Sequence, residues 1–384
     1  MAGMAAHWVT MRVPAEARVD LGAIGHNIGV LRERAGGAEV MAMVKAEAYG
    51  HGLVEAARAA LAGGAEWLGV AKLAEALRLR DAGLGARTLA CVLVPGEPFA
   101  DAVARDIDLT VGSSELAGEI AAAAAAAGRP ARIHLKADTG MTRGGAAGED
   151  WTALVDAALK AEADGLVQVV GIMSHLACAD EPGHPSIARQ VAAFTDMVRL
   201  AEGAGARPEV RHLSNSAATL TLPEARFDLV RPGIATYGLT PVPRVGTFGL
   251  RPAMTLVADA ALVKRVPAGS GVSYGHTYVT DRETTVAVVP VGYGDGVPRA
   301  GSNLLEVLAG GRRRRIAGRV CMDQFVIDLG DDDLAAGDEI VLFGPGDRGE
   351  PTAQEWADAL GTISYEIVTR IGSRVPRAYP GGGR

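Results

Sequence analysis

Apolar, β-branched runs alternate with helical stretches from residue 38 to about residue 240. The strand-like runs cover residues 38–44, 67–71, 88–94, 107–111, 132–137, 167–174, 209–214 and 227–232. Stretches with helical spacing, such as residues 53–64 and 186–205, lie between them. Eight strand–helix units in about 200 residues predict a closed (β/α)8 barrel of parallel strands.

A doubly wound open sheet is the alternative fold for an alternating pattern. We favour the barrel, because eight is the number of units that closes and because no G-x-G-x-x-G follows the first strand run. After about residue 250 the pattern becomes strand-like runs separated by Gly, Pro and Asp turns, with two short helices expected near the end. The second part is therefore predicted to be mostly β.

The predicted domain organisation is a barrel domain over residues 13–249 and a mostly β C-terminal domain over residues 250–384. The barrel is preceded by a strand and a helix within residues 17–36. We expect that first strand to pair with the C-terminal domain.

Composition and charge narrow the classes of function. The net charge is −7 and the sequence pI is about 5.7, which favours neither nucleic acid nor an anionic membrane as a partner. Three separated cysteines without a CxxC motif are typical of reduced thiols in a cytoplasmic protein. The sequence contains no run of about 18 apolar residues, so no membrane span is expected. The N-terminus does not resemble a signal peptide.

Polar residues collect where the predicted barrel strands end. In a βα barrel the working residues lie at the C-terminal ends of the strands, on one face. Five of the eight strand runs end on or just before such residues, which are Lys45, Lys136, His175, Asn215 with Ser216, and Arg231 with Gly233. The sequence therefore predicts a binding site on that face.

The last two strand ends are suited to a phosphate group. Barrels often hold phosphate with the loops after strands seven and eight, and here the segment around Ser216 enters a helix while Gly233 and Ile234 supply backbone. Lys45 would lie across the mouth of the predicted barrel from this phosphate site, and the sequence shows no cluster of metal ligands. This combination suggests a phosphate-bearing aldehyde held as a Schiff base. That description fits pyridoxal 5'-phosphate (PLP), with Arg231 as partner of its pyridine nitrogen.

Nine short motifs in one order resemble the alanine racemases. They are VKAEAYGHG, KADTGMTRGG, SHLACADE, HLSNSAA, RPGIATYGL, GVSYGHTY, VGYGDGVPR, GRVCMDQ and SYEIVTRIGSRVPR, and the resemblance extends from about residue 15 to residue 379. The family usually has Asn where this chain has Glu47, and Gly where it has Thr142. We expect these two differences to affect only the surroundings of Lys45 and one loop.

The resemblance implies an enzyme that interconverts L-alanine and D-alanine and supplies D-alanine for cell-wall peptidoglycan. It implies PLP bound to Lys45 as a Schiff base, with Lys45 as base for the D-enantiomer and Tyr274 as base for the L-enantiomer on the opposite face. A free tyrosine has a pKa near 10, so Tyr274 needs cationic or hydrogen-bond help. His212 and Arg231 are the expected sources of that help.

Further roles follow from the resemblance alone. The expected cofactor-binding residues are Lys45, Tyr49, His175, His212, Asn215, Ser216, Arg231, Gly233, Ile234 and Tyr365. The substrate would contact Arg143 and the Met322 backbone. Supporting residues and residues lining the approach would be Lys136, carried as a carbamate in the family, with Asp180, Tyr293, Arg299, Arg319 and Asp323. No metal is expected, and the family implies a homodimer with shared active sites.

Three alternatives remain open from the sequence. A racemase of broader specificity could accept serine or another small amino acid. A PLP-dependent decarboxylase shares the architecture, but Arg231 stands where that class carries a glutamate. A non-catalytic PLP-binding protein would be a single barrel, which the roughly 130-residue β domain argues against.

Overall fold

The computed structural model describes residues 13–380. An N-terminal strand and helix, β1 and α1, precede eight further strands that alternate with helices. The strands are β1 (Ala15–Val19), β2 (Glu39–Met43), β3 (Trp67–Val70), β4 (Arg87–Ala90), β5 (Ile107–Val111), β6 (Ala131–Lys136), β7 (Val167–Met173), β8 (Val210–His212) and β9 (Leu229–Val230). The helical segments are α1 (Leu21–Ala35), α2 (Lys45–Tyr49), α3 (Leu53–Ala62), α4 (Leu73–Asp81), α5 (Phe99–Ala104), α6 (Ser114–Ala127), α7 (Gly148–Ala163), α8 (Pro185–Ala204) and α9 (Ser216–Thr221).

Strands β2 to β9 form the predicted parallel barrel. Their order in the eight-stranded sheet is β8-β7-β6-β5-β4-β3-β2-β9, and β9 returns to pair in parallel with β2. Backbone hydrogen bonds from Asp228 N to Arg211 O (3.0 Å) and from Arg231 N to Ser214 O (2.9 Å) join β9 to the β8 side. The barrel prediction is therefore confirmed.

Helix α1 begins and ends where its sequence indicates. The Asp20 carboxylate accepts a hydrogen bond from Ala23 N at 3.0 Å, which caps the first turn. Gly36 adopts φ 64° just beyond the last turn, a left-handed conformation that glycine adopts without steric cost. The helix packs against α3, where Gly25 and Gly63 bring the two backbones close together.

The second part of the chain is mostly β, as predicted. Its strands are β10 (Met254–Asp259), β11 (Leu262–Val266), β12 (Gly271–Val272), β13 (Tyr278–Val279), β14 (Thr284–Val289), β15 (Glu306–Ala309), β16 (Arg312–Arg315), β17 (Phe325–Gly330), β18 (Glu339–Phe343) and β19 (Arg377–Ala378). The six-stranded sheet has the order β16-β15-β18-β10-β1-β19, and β11-β14-β17 form a second sheet. The two short helices expected near the end are α10 (Ala353–Leu360) and α11 (Ser364–Thr369).

Strand β1 belongs with the C-terminal strands. It pairs antiparallel with β10, from Ala15 opposite Ala258 to Val19 opposite Met254, which confirms the expected pairing. Residues 20–253 form one compact unit, and the strand before them joins residues 254–380 in the other. The predicted domains were residues 13–249 and residues 250–384. The observed division differs from them at β1, because strand pairing rather than sequence order decides which unit contains that strand.

None of the helices within residues 13–380 combines the length and apolarity that a membrane crossing requires.

The contact between α1 and α3 gives a stability prediction. A Cβ on Gly63 would lie 2.7 Å from both Cα and O of Gly25, so Gly63→Ala forces two helix backbones apart. We expect a loss of about 1–3 kcal/mol in the free energy of unfolding, the usual size of overpacking. Chemical denaturation monitored by circular dichroism measures it.

Gly29→Ala in α1 is the matched control, because a Cβ there meets nothing within 4 Å. Replacing a mid-helix glycine by alanine should stabilise by about 0.5–1 kcal/mol. Equal effects of the two substitutions would contradict the proposed close contact.

Candidate active site

Lys45 opens a left-handed turn at the end of the first barrel strand. β2 ends at Met43, and the four residues after Lys45 all have positive φ, 53°, 54°, 53° and 52° for Ala46, Glu47, Ala48 and Tyr49. None of them is glycine, so each costs about 1–2 kcal/mol relative to right-handed backbone. Strain of this kind persists only where surrounding contacts hold it, and it concentrates at functional sites.

The contacts that hold the turn come from neighbouring barrel segments. The Glu75 carboxylate accepts hydrogen bonds from the backbone N–H groups of Ala46 (2.7 Å), Ala71 (3.0 Å) and Lys72 (3.0 Å). The buried Tyr237 hydroxyl donates to the Met43 carbonyl at 2.9 Å. The strand end before Lys45 and the first peptide after it are therefore both anchored.

Lys45 faces a cavity of about 620 Å³ at the C-terminal end of the barrel. Two further cations, Lys136 at the end of β6 and Arg143 in the loop after it, also line this cavity. The complete lining is Lys45, Cys91, Val92, Leu93, Pro95, Thr110, Gly112, Ser113, Leu116, Lys136, Arg143, Gly144 and Gly145. It contains no Asp or Glu, so the cavity is suited to an anionic ligand.

Burial and neighbouring arginines make the two lysines easier to deprotonate. Burial, followed by the positive charges of Arg143 and Arg231, lowers the pKa of Lys45 from its usual value. The same causes lower the pKa of Lys136. A larger neutral fraction makes either amine a better nucleophile towards a carbonyl carbon or carbon dioxide.

Arg231 lies almost wholly buried just after β9, with 4% of its surface exposed. Its guanidinium donates to the carbonyls of Ser174 (2.6 Å) and Leu213 (3.3 Å), and to Nδ1 of His212 at 2.9 Å. His175 Nδ1 lies 3.4 Å from the same guanidinium. Burial lowers the pKa of Arg231 to about 10, so it remains a cation at neutral pH.

Three loops meet near the start of α9. Asn215 caps this short helix by accepting from Ala218 N at 3.1 Å. The Ser216 hydroxyl oxygen accepts from Gly233 N (2.7 Å) and Ala235 N (3.3 Å). A Cβ on Gly233 would lie 2.8 Å from Cζ of Tyr49, so the Tyr49 ring rests against that glycine. The loops after β2, β8 and β9 therefore converge here.

The C-terminal unit carries its own group of expected site residues. Within it, the loop of Tyr274 lies beside that of Arg319, since the Ser273 hydroxyl donates to the Arg319 carbonyl at 2.6 Å. Tyr293 N donates to the Cys321 carbonyl at 2.9 Å, which brings the Tyr293 and Met322 loops together. Three side chains of this group are exposed in the single chain, at 71% for Tyr274, 53% for Met322 and 43% for Tyr293.

The remaining expected residues are divided between the two units. Asp180 lines a second cavity of the barrel unit, of about 540 Å³, together with His184. In the C-terminal unit Tyr365 lies in α11, Arg299 in a 3-10 turn, and Asp323 accepts from Arg374 at 2.7 Å. Within residues 13–380, no three His, Cys, Asp or Glu side chains come together as metal ligands would.

Two polar residues inside the barrel were missed by the sequence reasoning. His134 and Asp108 are 0% and 1% exposed. His134 Nδ1 lies 2.8 Å from His212 Nε2, and His134 Nε2 lies 3.2 Å from the Asp108 carboxylate. The signal was present in the sequence, since each stands between two apolar residues of a strand run, Asp108 in IDLTV and His134 in RIHLKA.

Comparisons with known proteins agree along nearly the whole chain. Family models described as "Alanine racemase, N-terminal domain" and "Alanine racemase, C-terminal domain" match residues 19–241 and 253–379. An alanine racemase from Thermobifida fusca is 61% identical over 370 residues, covering 96% of this chain and 99% of that protein.

Solved structures match equally well. The crystal structure of alanine racemase from D-cycloserine-producing Streptomyces lavendulae has a TM-score of 0.96 at 56% identity, covering 97% of this chain and 98% of that one. The enzyme from Streptomyces coelicolor A3(2) has a TM-score of 0.95 at 58% identity, covering 96% and 98%.

The surroundings of His175 give a pH prediction. Burial, with the charges of Arg231 and Arg143, lowers the pKa of His175 to about 3. Below about pH 6.5 the unfolded chain therefore binds a proton at this residue while the native protein does not, so stability falls as the pH decreases towards 3. We expect His175→Gln to lose less stability than the parent protein between about pH 7 and about pH 4.

Urea denaturation across this pH range measures the difference. The control is His26→Gln, since His26 lies on α1, where its Nε2 donates to the Gly249 carbonyl at 2.9 Å, and it does not line the cationic cavity. A pH dependence of stability that is the same for His175→Gln and the parent would contradict the lowered pKa.

Proposed function

Because this chain belongs to the alanine racemase family, we propose that it interconverts L-alanine and D-alanine with Lys45 and Tyr274 as the two bases. Enzymes of this family depend on PLP. The observation that carries the proposal is the deprotonatable Lys45 amine in a cavity lined by cations.

The residues around Lys45 fit PLP. A neutral amine is what attacks an aldehyde carbon, and the lowered pKa of Lys45 favours that form. The excess of positive charge in the cavity complements the anionic groups of the cofactor and of an amino-acid carboxylate. When bound, PLP supplies an electron-withdrawing ring that makes the Cα–H of an attached amino acid acidic.

We assign the cofactor contacts by group. Tyr49, Ser216, Gly233 and Ile234 would hold the phosphate, supported by the convergence of their loops, with Tyr365 from the C-terminal unit. Arg231 would face the ring nitrogen, with His175, His212 and Asn215 supporting this side. An arginine there cannot readily give up a proton, so the ring nitrogen would stay unprotonated and side reactions would be suppressed.

Racemisation removes a proton from one face of Cα and returns one to the other. Two bases on opposite faces achieve this without moving either group far. Lys45 would act on D-alanine and Tyr274 on L-alanine. Arg143 and the Met322 backbone would orient the substrate carboxylate, and Lys136, as a carbamate, would position Arg143. Asp180, Tyr293, Arg299, Arg319 and Asp323 would line the approach.

We further propose a cytoplasmic homodimer that supplies D-alanine for peptidoglycan. Tyr274, Met322 and Tyr293 are largely exposed in the single chain, although a base and a substrate contact work best where bulk water is excluded. A second copy of the chain would cover them and complete the site. The three free cysteines are consistent with a reducing compartment.

The two-base assignment predicts an asymmetric loss of hydrogen exchange. In Tyr274→Phe, exchange of the Cα hydrogen with deuterated solvent should survive for D-alanine, where Lys45 abstracts the proton. It should fall by about 10²–10⁴-fold for L-alanine, the usual contribution of a general base. Net racemisation should fall in both directions. Nuclear magnetic resonance of the alanine Cα proton measures each rate.

Tyr278→Phe is the matched control in the same unit. The Tyr278 hydroxyl donates to Asp328 at 2.6 Å, and burial with this carboxylate raises its pKa to about 12. The Tyr278→Phe variant should leave hydrogen exchange from both alanine enantiomers unchanged. Equal exchange from L- and D-alanine in Tyr274→Phe would rule out the assignment of opposite faces.

The shared site predicts complementation between two inactive variants. Lys45→Ala and Tyr274→Phe should each be inactive alone. If Tyr274 serves the partner's Lys45, a mixed dimer contains one intact site, so co-refolded equal amounts should recover about a quarter of the parent activity. Refolding each variant separately before mixing is the control. No recovery in co-refolded dimers would mean that both bases act within one chain.

A further inference from the structure

Four buried residues form a single hydrogen-bonded line through the barrel interior. Arg231 contacts His212 at 2.9 Å, His212 contacts His134 at 2.8 Å, and His134 contacts Asp108 at 3.2 Å. Their exposed fractions are 4%, 0%, 0% and 1%. We call these residues, in this order, the barrel relay.

The chemistry at the Arg231 end fixes the first proton. A guanidinium carries N–H donors and no acceptor, so Nδ1 of His212 must accept the hydrogen bond from Arg231. An imidazolium has N–H on both nitrogens and could not do so, so His212 is neutral. Burial, with the charge of Arg231, lowers the pKa of His212 well below its usual value, and this agrees with a neutral ring.

The remaining protons follow in sequence. A neutral His212 that accepts at Nδ1 carries its hydrogen on Nε2, and this N–H donates to Nδ1 of His134. His134 must then accept at Nδ1 and carry its own hydrogen on Nε2, which faces the Asp108 carboxylate. The opposite direction is excluded, because it would require Arg231 to accept. Every hydrogen bond of the barrel relay therefore points from Arg231 towards Asp108.

Asp108 is held as the anionic end of this line. Arg132 Nε contacts its Oδ1 at 2.9 Å, and Arg87 contacts its Oδ2 at 3.3 Å. Both arginines also pair with Glu209, at 2.6 Å for Arg87 and 3.2 Å for Arg132. Asp108 therefore forms ion pairs with two arginines, and a carboxylate in such pairs can only accept hydrogen bonds.

Close packing fixes the ring of His134 between its partners. A Cβ on Gly171 of β7 would lie 2.6 Å from Cε1 of His134, so this strand leaves room for the imidazole. The Trp67 ring meets the His134 ring edge-on, with centroids 5.8 Å apart. The His212 ring also meets the His134 ring edge-on, with centroids 5.0 Å apart. The ring cannot turn to present its nitrogens differently without displacing these neighbours.

We propose that Asp108 and His134 are positioning residues that hold His212 in the tautomer that accepts from Arg231, and thereby hold the Arg231 guanidinium in place. Their effect on racemisation rests on the proposed function, in which Arg231 faces the ring nitrogen of the cofactor. The tautomers themselves depend only on the barrel, with or without cofactor.

Nitrogen NMR of the parent protein, labelled with [15N]histidine and free of cofactor, tests the tautomers directly. The resonances of His134 and His212 are assigned from His134→Gln and His212→Gln. Both rings should be neutral, with hydrogen on Nε2, from about pH 6 to about pH 9. A charged ring, or hydrogen on Nδ1 of His212, overturns the proposal.

A matched pair of variants tests the positioning role. In His134→Leu the N–H of His212 loses its acceptor, so His212 can keep the hydrogen bond from Arg231 only by leaving its own buried N–H unpaired. With a penalty on either side, its single tautomer should give way to a mixture. The kcat for alanine should fall by about 10- to 100-fold, the effect of weakening one hydrogen bond to a charged group, while KM changes little. In His134→Gln the amide oxygen can accept from His212 and the amide nitrogen can donate to Asp108. The single tautomer of His212 and the kcat for alanine should therefore both recover.

Thr88→Val controls for the general effect of altering a buried polar strand residue. Thr88 is 0% exposed and its hydroxyl donates to the Ala86 carbonyl at 2.9 Å, outside the barrel relay. An unchanged His212 tautomer and unchanged kcat in folded His134→Leu would overturn the proposal. If His134→Leu does not fold, Asp108→Ala gives the same test, because it removes the acceptor of the His134 N–H. A parent protein with the expected tautomers but no racemase activity would support the barrel relay and refute the proposed function.

Discussion

A buried guanidinium must find an acceptor for each N–H that faces the protein, because an unpaired buried charge costs several kcal/mol. Arg231 meets this demand with the ends of two neighbouring strands. The carbonyls of Ser174 and Leu213, just beyond β7 and β8, accept from it, and so does the His212 ring. The backbone of Arg231 also donates to Ser214 where the barrel closes. Closure of the barrel and placement of this cation are therefore one arrangement.

The same positive charge acts across the mouth of the barrel. Arg231 and Arg143 lower the pKa of both Lys45 and Lys136, in addition to the effect of burial. A cavity with this excess of cations is favourable to an anion and unfavourable to further protons. The left-handed turn after Lys45 adds backbone strain, which Glu75 helps to offset by accepting from the N–H of Ala46. Electrostatics and backbone geometry thus both favour a reactive amine at this strand end.

The sequence predicted the parts of the structure that depend on periodicity. Eight apolar runs became the barrel strands, and the polar residues that end them lie on one face, because parallel strands all finish at the same end. The left-handed turn could not be foreseen, since Ala46 to Tyr49 contain no glycine to indicate positive φ. The roles proposed for the site residues came from resemblance to a family, and periodicity alone would not have supplied them.

The barrel relay escaped prediction for a different reason. A polar residue in a strand run can face solvent or the barrel interior, and local pattern does not tell which when both faces of a strand are covered. Asp108 and His134 stand on adjacent strands, and the register of β5 against β6 brings these two side chains within hydrogen-bond distance. Their pairing is a property of the closed barrel.

An aliphatic interior would stabilise such a barrel at least as well. Replacing a buried network of charges by well-packed apolar side chains is often neutral or stabilising, and the layers inside parallel barrels are usually filled by Val, Ile and Leu. Stability therefore does not account for the line of polar residues from Asp108 to Arg231. What the line provides is direction, because a carboxylate at one end and a guanidinium at the other leave each imidazole a single tautomer. A cation held in this way keeps one position and one orientation at the strand ends, beside which the cofactor ring is proposed to lie.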